Sequence, residues 1–299
     1  MKSICPVVLG FFLITLSSCA TAPAAKAIEE SSVWQISKGE NTVYLGGSVH
    51  MVPKKTKTPG AFNKAFGLSD VAVFEADVLA LEKNPVFIKS LQSKMFLPEG
   101  QTLKTVLSGE SYQKLSGACT GLGVSITQVE QMKPSMVVNL LSALQLQKYG
   151  ITETGVDVYY MKLAKKKHKT MLFLESVDFQ IDLLLSMFDE NIDEYISYSV
   201  ADLEQDSDAV KTEIENMLHD WIHGRNEYIV ELNSTMKADY PSVYDGLLKD
   251  RNNTWVPIIE GYLEDAPVEF IIVGLAHIHG EDGLLKQLAE AGYLINPLR

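Results

Sequence analysis

Apolar residues along this chain gather into short β-type runs separated by longer stretches of helical spacing. Val33–Ile36 and Thr42–Val49, with the turn string Lys38-Gly39-Glu40-Asn41 between them, predict a β-hairpin. Asp70–Glu75 (DVAVFE), Thr170–Glu175 (TMLFLE) and Glu269–Leu275 (EFIIVGL) predict three more strands, and Tyr293–Asn296 a short closing one. Helices are predicted at Ala61–Leu68, Pro85–Met95, Gly155–Lys166, Asp178–Met187, Ile192–Met236, Tyr244–Tyr262 and Gly283–Ala291. From Leu103 to Lys148 the spacing of Tyr112, Leu115, Val129, Met132 and Met136–Leu146 predicts several packed helices. Strands alternating with helical stretches predict an α/β fold. The expected architecture is a central, mainly parallel sheet built from two similar halves, with a helical insertion at about residues 100–150. No solenoid period is visible.

The N-terminus reads as a targeting segment rather than part of the fold. Lys2 supplies a minimal positive region, and Val7–Leu16 is apolar but too short to span a bilayer stably. Leu16-Ser17-Ser18-Cys19 resembles a bacterial lipobox, in which the cysteine becomes the lipidated first residue; cleavage after Ala25-Lys26-Ala27 is the alternative. The expected division is a signal peptide at 1–18, a flexible tether at 19–32 rich in Ala, Ser and Pro, and a globular domain at 33–299. Lipidation at Cys19 implies attachment to the cell envelope, at the outer membrane facing the periplasm in a Gram-negative cell. With Cys5 removed and Cys19 lipidated, Cys119 alone remains, so no internal disulfide is expected. Cys119 lies in SGACTGLG without a basic neighbour to activate it, and reads as a structural thiol.

Composition narrows the partners. The 299 residues are 46% hydrophobic and 21% charged, with a formal net charge of −12. An acidic chain without a long basic stripe argues against nucleic acid. No Gly-x-Ser-x-Gly, phosphate-binding loop, dinucleotide glycine fingerprint or Cys-x-x-Cys occurs, which removes the main support for serine acyl hydrolases, NTPases, Rossmann oxidoreductases and zinc ribbons.

Candidate chemistry collects at strand ends. TVYLGGSVH and EFIIVGLAH each run from an apolar strand into Gly-x-x-His, delivering His50 and His277. Imidazole is both a metal ligand and the acid/base that titrates near neutrality, and ligands bind at the carboxyl edge of such sheets. Two strands also end in carboxylates, Glu75 and Glu175, where a buried run surfaces and a charge must be solvated, paired or coordinated. Asp77 and Asp178 read as helix caps. His279, two residues after His277, would face the same way in an extended segment. His219 and His223 have i, i+4 spacing but read as a solvated surface pair, and His168 belongs to a basic surface string, KKKHK. Arg251 reads equally as a clamp for a carboxylate or oxyanion and as a surface ion-pair partner.

Taken together these strings resemble the TraB/GumN family, which includes the animal TIKI proteases. The resemblance runs from about Val33 to Leu298. It rests on VWQISKGENTVYLGGSVHMVP, GVDVYYMKLAKKKHKTMLFLESVDFQ, LLKDRNNTWVPII and VGLAHIHGEDGLLKQLAEAGYLINPL. The family hallmark, two Gly-x-x-His motifs with a strand-end glutamate, falls on His50, His277 and Glu75; Glu175 and the Arg251-Asn252 pair match as well. The resemblance implies an α/β fold shared with erythromycin esterase-like and haem-uptake ChaN-like proteins and, through the TIKI branch, metal-dependent peptide hydrolysis.

The function so expected is a lipid-anchored hydrolase of the cell envelope acting on a peptide or small molecule. His50, Glu75 and His277 would hold a divalent metal ion such as Mn or Co, with Glu75 also catalytic. Glu175 would be the general base, and Arg251 would stabilise an oxyanion or orient substrate. One alternative is a metal-independent esterase-like hydrolase; another is a non-enzymatic lipoprotein that binds haem or a metal.

Overall fold

In the computed structural model, residues 31–299 are described except 54–55, 81–88, 90–92, 187–190, 204–206 and 265. The expected signal peptide, Cys19 and most of the tether lie outside the described residues, as does most of the helix expected at Pro85–Met95. Among the described residues no helix is long and apolar enough to cross a membrane. Ser31 and Ser32, at the end of the expected tether, are buried: Ser31 Oγ donates to the Leu298 carbonyl at 2.9 Å and Ser32 Oγ to that of Trp221 at 2.6 Å.

Among the described residues eight strands follow in chain order: β1 (Val33–Lys38), β2 (Asn41–Ser48), β3 (Met51–Pro53), β4 (Val71–Phe74), β5 (Ile151–Thr154), β6 (Thr170–Phe173), β7 (Glu269–Gly274) and β8 (Leu294–Pro297). Six of them form one sheet in the order β6-β4-β7-β2-β1-β8. β1 and β2 form the expected hairpin, with Gly39 supplying the positive φ (65°) of the turn. β6, β4, β7 and β2 pair in parallel, and β1 alone runs against its neighbours. β7 is buried along its whole length, as befits a central parallel strand covered on both faces. The two similar halves expected of this sheet are not confirmed. β2 and β4, from the first half of the chain, are separated by β7 from the second half, so the strands interleave.

Alternation along the strands loads the two faces differently. On one, Trp34, Ile36, Val43, Leu45, Val73, Ile271 and Val273 pack against Trp255, Ile259, Leu284, Leu285 and Leu288. These come from helices Asp250–Tyr262 and Leu284–Glu290. The opposite face is aromatic: Phe62 lies 5.7 Å from Tyr160, 6.0 Å from Trp221 and 5.7 Å from Phe270, ring centre to ring centre. Helices Gly60–Leu68 and Val156–Lys167 supply Phe62 and Tyr160.

Two compact units result. Of the described residues, the sheet unit holds those in 31–77, Thr154–Ser176 and Glu215–Arg299, and the helical unit those in Val78–Glu153 and Val177–Ile214. Helices therefore extend past the stretch expected at 100–150 and are interrupted by Thr154–Ser176, which belongs to the sheet unit. The helical unit has its own core, in which Leu103, Leu115, Val137, Val138, Leu141, Ile196 and Val200 enclose Cys119. Burial pushes the Cys119 thiol up to about 11, so it stays protonated, in keeping with a structural role.

Candidate functional site

Parallel pairing of β6, β4, β7 and β2 puts their carboxyl ends on one edge, in a register that aligns Phe173 with Phe74, Phe74 with Ile272, and Ser48 with Gly274. Just beyond these ends come Glu175, Glu75, His277 and His50. The edge thus gathers residues far apart in sequence, and all of them lie in the sheet unit.

The glycines of the two Gly-x-x-His motifs act on one another's histidine segments. His277 is carried by a helical turn, Leu275–Ile278, that packs over β2. A Cβ on Gly47 would meet Leu275 Cδ1 at 2.6 Å, Ile278 Cγ1 at 3.1 Å and Leu275 Cα at 3.3 Å, so glycine lets that turn pack closely on β2. A Cβ on Gly274 would lie 3.0 Å from His50 Nε2, 3.3 Å from Glu75 Oε1 and 3.6 Å from His277 Cδ2. The bare α-carbon of each motif makes room for the other.

Arg251 sits at the centre. Its helix, Asp250–Tyr262, follows a π-helical turn, Asp245–Lys249, whose Leu247 carbonyl accepts from Nη1 at 3.0 Å. Nε donates to Glu175 Oε2 at 3.0 Å, and Nη2 donates to Glu175 Oε1 at 2.7 Å and Glu75 Oε2 at 2.6 Å. Nη1 also lies 2.9 Å from His277 Nε2. A guanidinium has five N–H groups, and these contacts engage all of them. The side chain is 7% exposed, with the Trp255 ring centre 4.6 Å from its Cζ. The oxyanion or substrate-orienting role expected of Arg251 meets a group whose donors are already spent. Glu175, the expected general base, turns both oxygens to Arg251.

Asn252 settles the state of His277. Its amide nitrogen donates to the carbonyls of His277 (3.1 Å) and Asp282 (2.8 Å), so Oδ1 faces the ring as an acceptor. His277 Nδ1, 2.7 Å from that oxygen, must then carry the proton. Nε2 keeps its lone pair and accepts from Arg251. Burial, reinforced by the Arg251 charge, holds the His277 pKa well below the usual imidazole range, and the ring is neutral.

His50 is the accessible member, its side chain 38% exposed. Nδ1 lies 3.1 Å from Asp157 Oδ2, and Nε2 faces Glu75 Oε1 at 4.0 Å. Desolvation pulls the imidazolium down, but Asp157, by charge and hydrogen bond, and Glu75 outweigh it against the opposing Arg251, lifting the pKa to about 9. For Glu75, burial favours the acid; Arg251 and the Gly274 N–H, which donates to Oε1 at 2.6 Å, prevail and lower its pKa to about 2. Asp157 was missed in the sequence. Its signal is an acid in the first turn of Val156–Lys167, two residues after the N-cap Gly155. A Cβ on Gly155 would fall 2.4 Å from the backbone of Val49 and His50, so glycine lets this helix end abut the first motif.

The remaining histidines stand apart. His279, the extended residue that ends the helical turn, packs edge-on against Trp34 at 5.0 Å and is held neutral by burial, its pKa lowered to about 3. The expectation that it faces the site with His277 is corrected: the segment is a helical turn, not a strand. His219 and His223 form an exposed pair with ring centres 4.3 Å apart. His168 is the left-handed cap of its helix, with φ 55°.

The expected metal ligands border one small space but do not present three lone pairs to it. His50 Nε2 and Glu75 Oε1 face it, whereas His277 shows Cδ2 and turns Nε2 to Arg251. Among the described residues no group of three or more His, Cys, Asp or Glu side chains is placed to hold a metal ion.

A model of the TraB/PrgY/gumN family matches residues 32–297. The chain is 25% identical over 260 residues to "Uncharacterized protein YbaP" of Escherichia coli (strain K12), covering 84% of this chain and 89% of that protein. The same figures hold for the protein of that name in Shigella flexneri. No solved structure matches significantly.

Proposed function

This chain belongs to the TraB/PrgY/gumN family, and on that premise we propose that it is a hydrolase of acyl bonds, in a peptide or a small ester, with His50 as its general base. One observation carries the reading. A partly exposed imidazole is braced at Nδ1 by Asp157 and points Nε2 across a 4.0 Å gap at Glu75 Oε1. A separation of that size between polar atoms suits a bridging water. Oriented by Glu75, such a water would give its proton to His50 Nε2 as its oxygen attacks the substrate carbonyl, and the imidazolium would then return that proton to the leaving amine or alcohol as the C–N or C–O bond breaks. Asp157 would hold the ring in the Nδ1–H tautomer and stabilise the imidazolium that forms, acting as a positioning residue. Arg251 keeps Glu75 ionised and fixed.

The pKa sets the pH dependence. Two carboxylates keep His50 mostly protonated at neutrality, with about one molecule in a hundred carrying the free base at pH 7. The rate constant kcat/KM should therefore rise with pH and level off near 9. Assaying the full chain on aryl esters and fluorogenic peptides tests this. Turnover that climbs to about pH 9 and disappears in His50→Ala is expected; wild-type turnover in a folded His50→Ala protein sinks it.

Metal-dependent hydrolysis through Mn or Co on His50, Glu75 and His277 does not fit the arrangement described, because the His277 lone pair is committed to Arg251. Chelation is accordingly expected to leave turnover unchanged. The proposal includes lipidation at Cys19 and attachment at the outer membrane facing the periplasm, supported by the Leu16–Cys19 string. Mass spectrometry of membrane-extracted protein tests it; a mature N-terminus other than a lipid-modified Cys19 would overturn this part.

A further inference from the structure

We propose that Arg251 is the resident cation of this site and holds the place that a divalent metal ion would need. The inference uses the residues of the hydrolytic reading but stands on ion binding rather than turnover.

Geometry and charge agree on it. The groups a metal would recruit at the strand edge are the two glutamates and the His277 lone pair, and the Arg251 guanidinium takes a share of each. Nη2 lies 2.6 Å from Glu75 and 2.7 Å from Glu175, and Nη1 lies 2.9 Å from His277 Nε2. The cation is fixed from behind as well. Leu247, in the π-helical turn that precedes the arginine's own helix, accepts from it, and Trp255 lies under its face. π-turns of this kind recur at functional sites because they re-aim a helix's next side chains. Here the second and third side chains after the turn grip one imidazole, Arg251 at Nε2 and Asn252 at Nδ1.

Guanidinium does not deprotonate in proteins, so this positive charge is permanent and cannot be removed by chelation. Adding a divalent ion beside it would set three positive charges against the two glutamates and ask His277 to give one lone pair to two partners. Arginine and metal therefore exclude one another. Glu75 and Glu175 are the counter-ions of Arg251, and the exposed His50 face is left to the reaction.

The test is a cobalt titration. The full chain, stripped with chelator and gel-filtered, is titrated with Co²⁺, and bound ion is read by elemental analysis and by the cobalt absorption spectrum. Wild type is expected to bind no stoichiometric ion. Arg251→Met, which removes the guanidinium from both glutamates and from His277 Nε2, is expected to gain Co²⁺ binding. A full equivalent on wild type that is lost in His277→Ala overturns the proposal, as does a folded Arg251→Met protein that takes up none. The wild-type titration decides even where Arg251→Met does not fold. A wild type that binds cobalt while turnover still depends on His50 but not on the ion would overturn this inference and leave the hydrolytic reading standing.

Discussion

At the scale of single residues, His50 and His277 are the same side chain in opposite electrostatic settings. His50 faces two carboxylates and is lifted to about 9; His277 is buried against Arg251 and stays neutral. Removing a positioning group should move the first without touching the second. In Asp157→Asn the rising limb of kcat/KM is expected to shift from about 9 toward 6.5, because the raising charge is gone. The plateau should also fall by about 10²-fold as the ring loses its brace. A pH profile over the alkaline range checks both, and an unmoved limb would show that Asp157 does not set the His50 charge. Asn252→Ala leaves the buried Nδ1–H of His277 without an acceptor and two carbonyls without a donor. It should destabilise the sheet unit by ~2–3 kcal/mol, measured by urea denaturation. Gly274→Ala puts a methyl 3.0 Å from His50 Nε2, and the half-exposed ring can swing outward. Loss of activity with an unchanged far-ultraviolet circular dichroism spectrum is expected.

At the scale of elements, the site depends on how closely strand ends and helix ends approach. Gly47 admits the turn Leu275–Ile278 over β2, and Gly155 admits the start of Val156–Lys167 against Val49 and His50. The second contact is backbone to backbone, with Val156 N–H donating to the Val49 carbonyl at 3.1 Å. A methyl at Gly155 has no flexible neighbour to displace. Gly155→Ala is expected to destabilise by ~2–3 kcal/mol, as overpacking does, and to abolish turnover by moving both His50 and Asp157. Equal stability of Gly155→Ala and wild type in a denaturant titration would contradict that close approach. The π-turn at Asp245–Lys249 belongs to the same logic, since it supplies the Leu247 carbonyl that anchors Arg251 from behind.

For the whole molecule, buried ionisable groups bound the pH range of stability on both sides. Glu75 has a folded pKa lowered to about 2 from 4.5, so its contribution is complete above 4.5 and is lost as pH falls through about 2. His277 and His279 are buried neutral with lowered values, so they contribute above 6.5 and oppose folding as they are forced to charge below it. His50 has the opposite sign: its raised value contributes fully below 6.5, and the contribution is lost as pH rises through about 9. Thermal stability should accordingly be greatest near pH 6.5, declining below it as His277 and His279 are forced to charge and above it as the His50 contribution is lost toward about 9. A melting temperature still rising as pH falls from 6.5 to 4.5 would contradict the neutral state of His277 and His279.

Much of this was legible in the chain, because strands and helices are set by local periodicity and the main site residues follow directly on strand ends. TMLFLE, DVAVFE, EFIIVGL and the hairpin announce four parallel strands and one antiparallel partner, and a residue just past a parallel strand must arrive at the carboxyl edge. Hence the sequence alone marks His50, Glu75, Glu175 and His277 as one group. What periodicity does not carry is strand order, and here order decides the chemistry. By placing β7 between β4 and β2, the fold turns two apparent halves into an interleaved sheet and brings Gly274 against His50. It also does not carry the approach of helices to that edge. Asp157 reaches His50 only because Gly155 allows contact, and Arg251 enters the group of carboxylates only through the packing of its helix on the sheet. Sequence pattern determined which side chains arrive at the strand edge; tertiary packing decided that Asp157 and Arg251 join them, and therefore which lone pairs remain for chemistry.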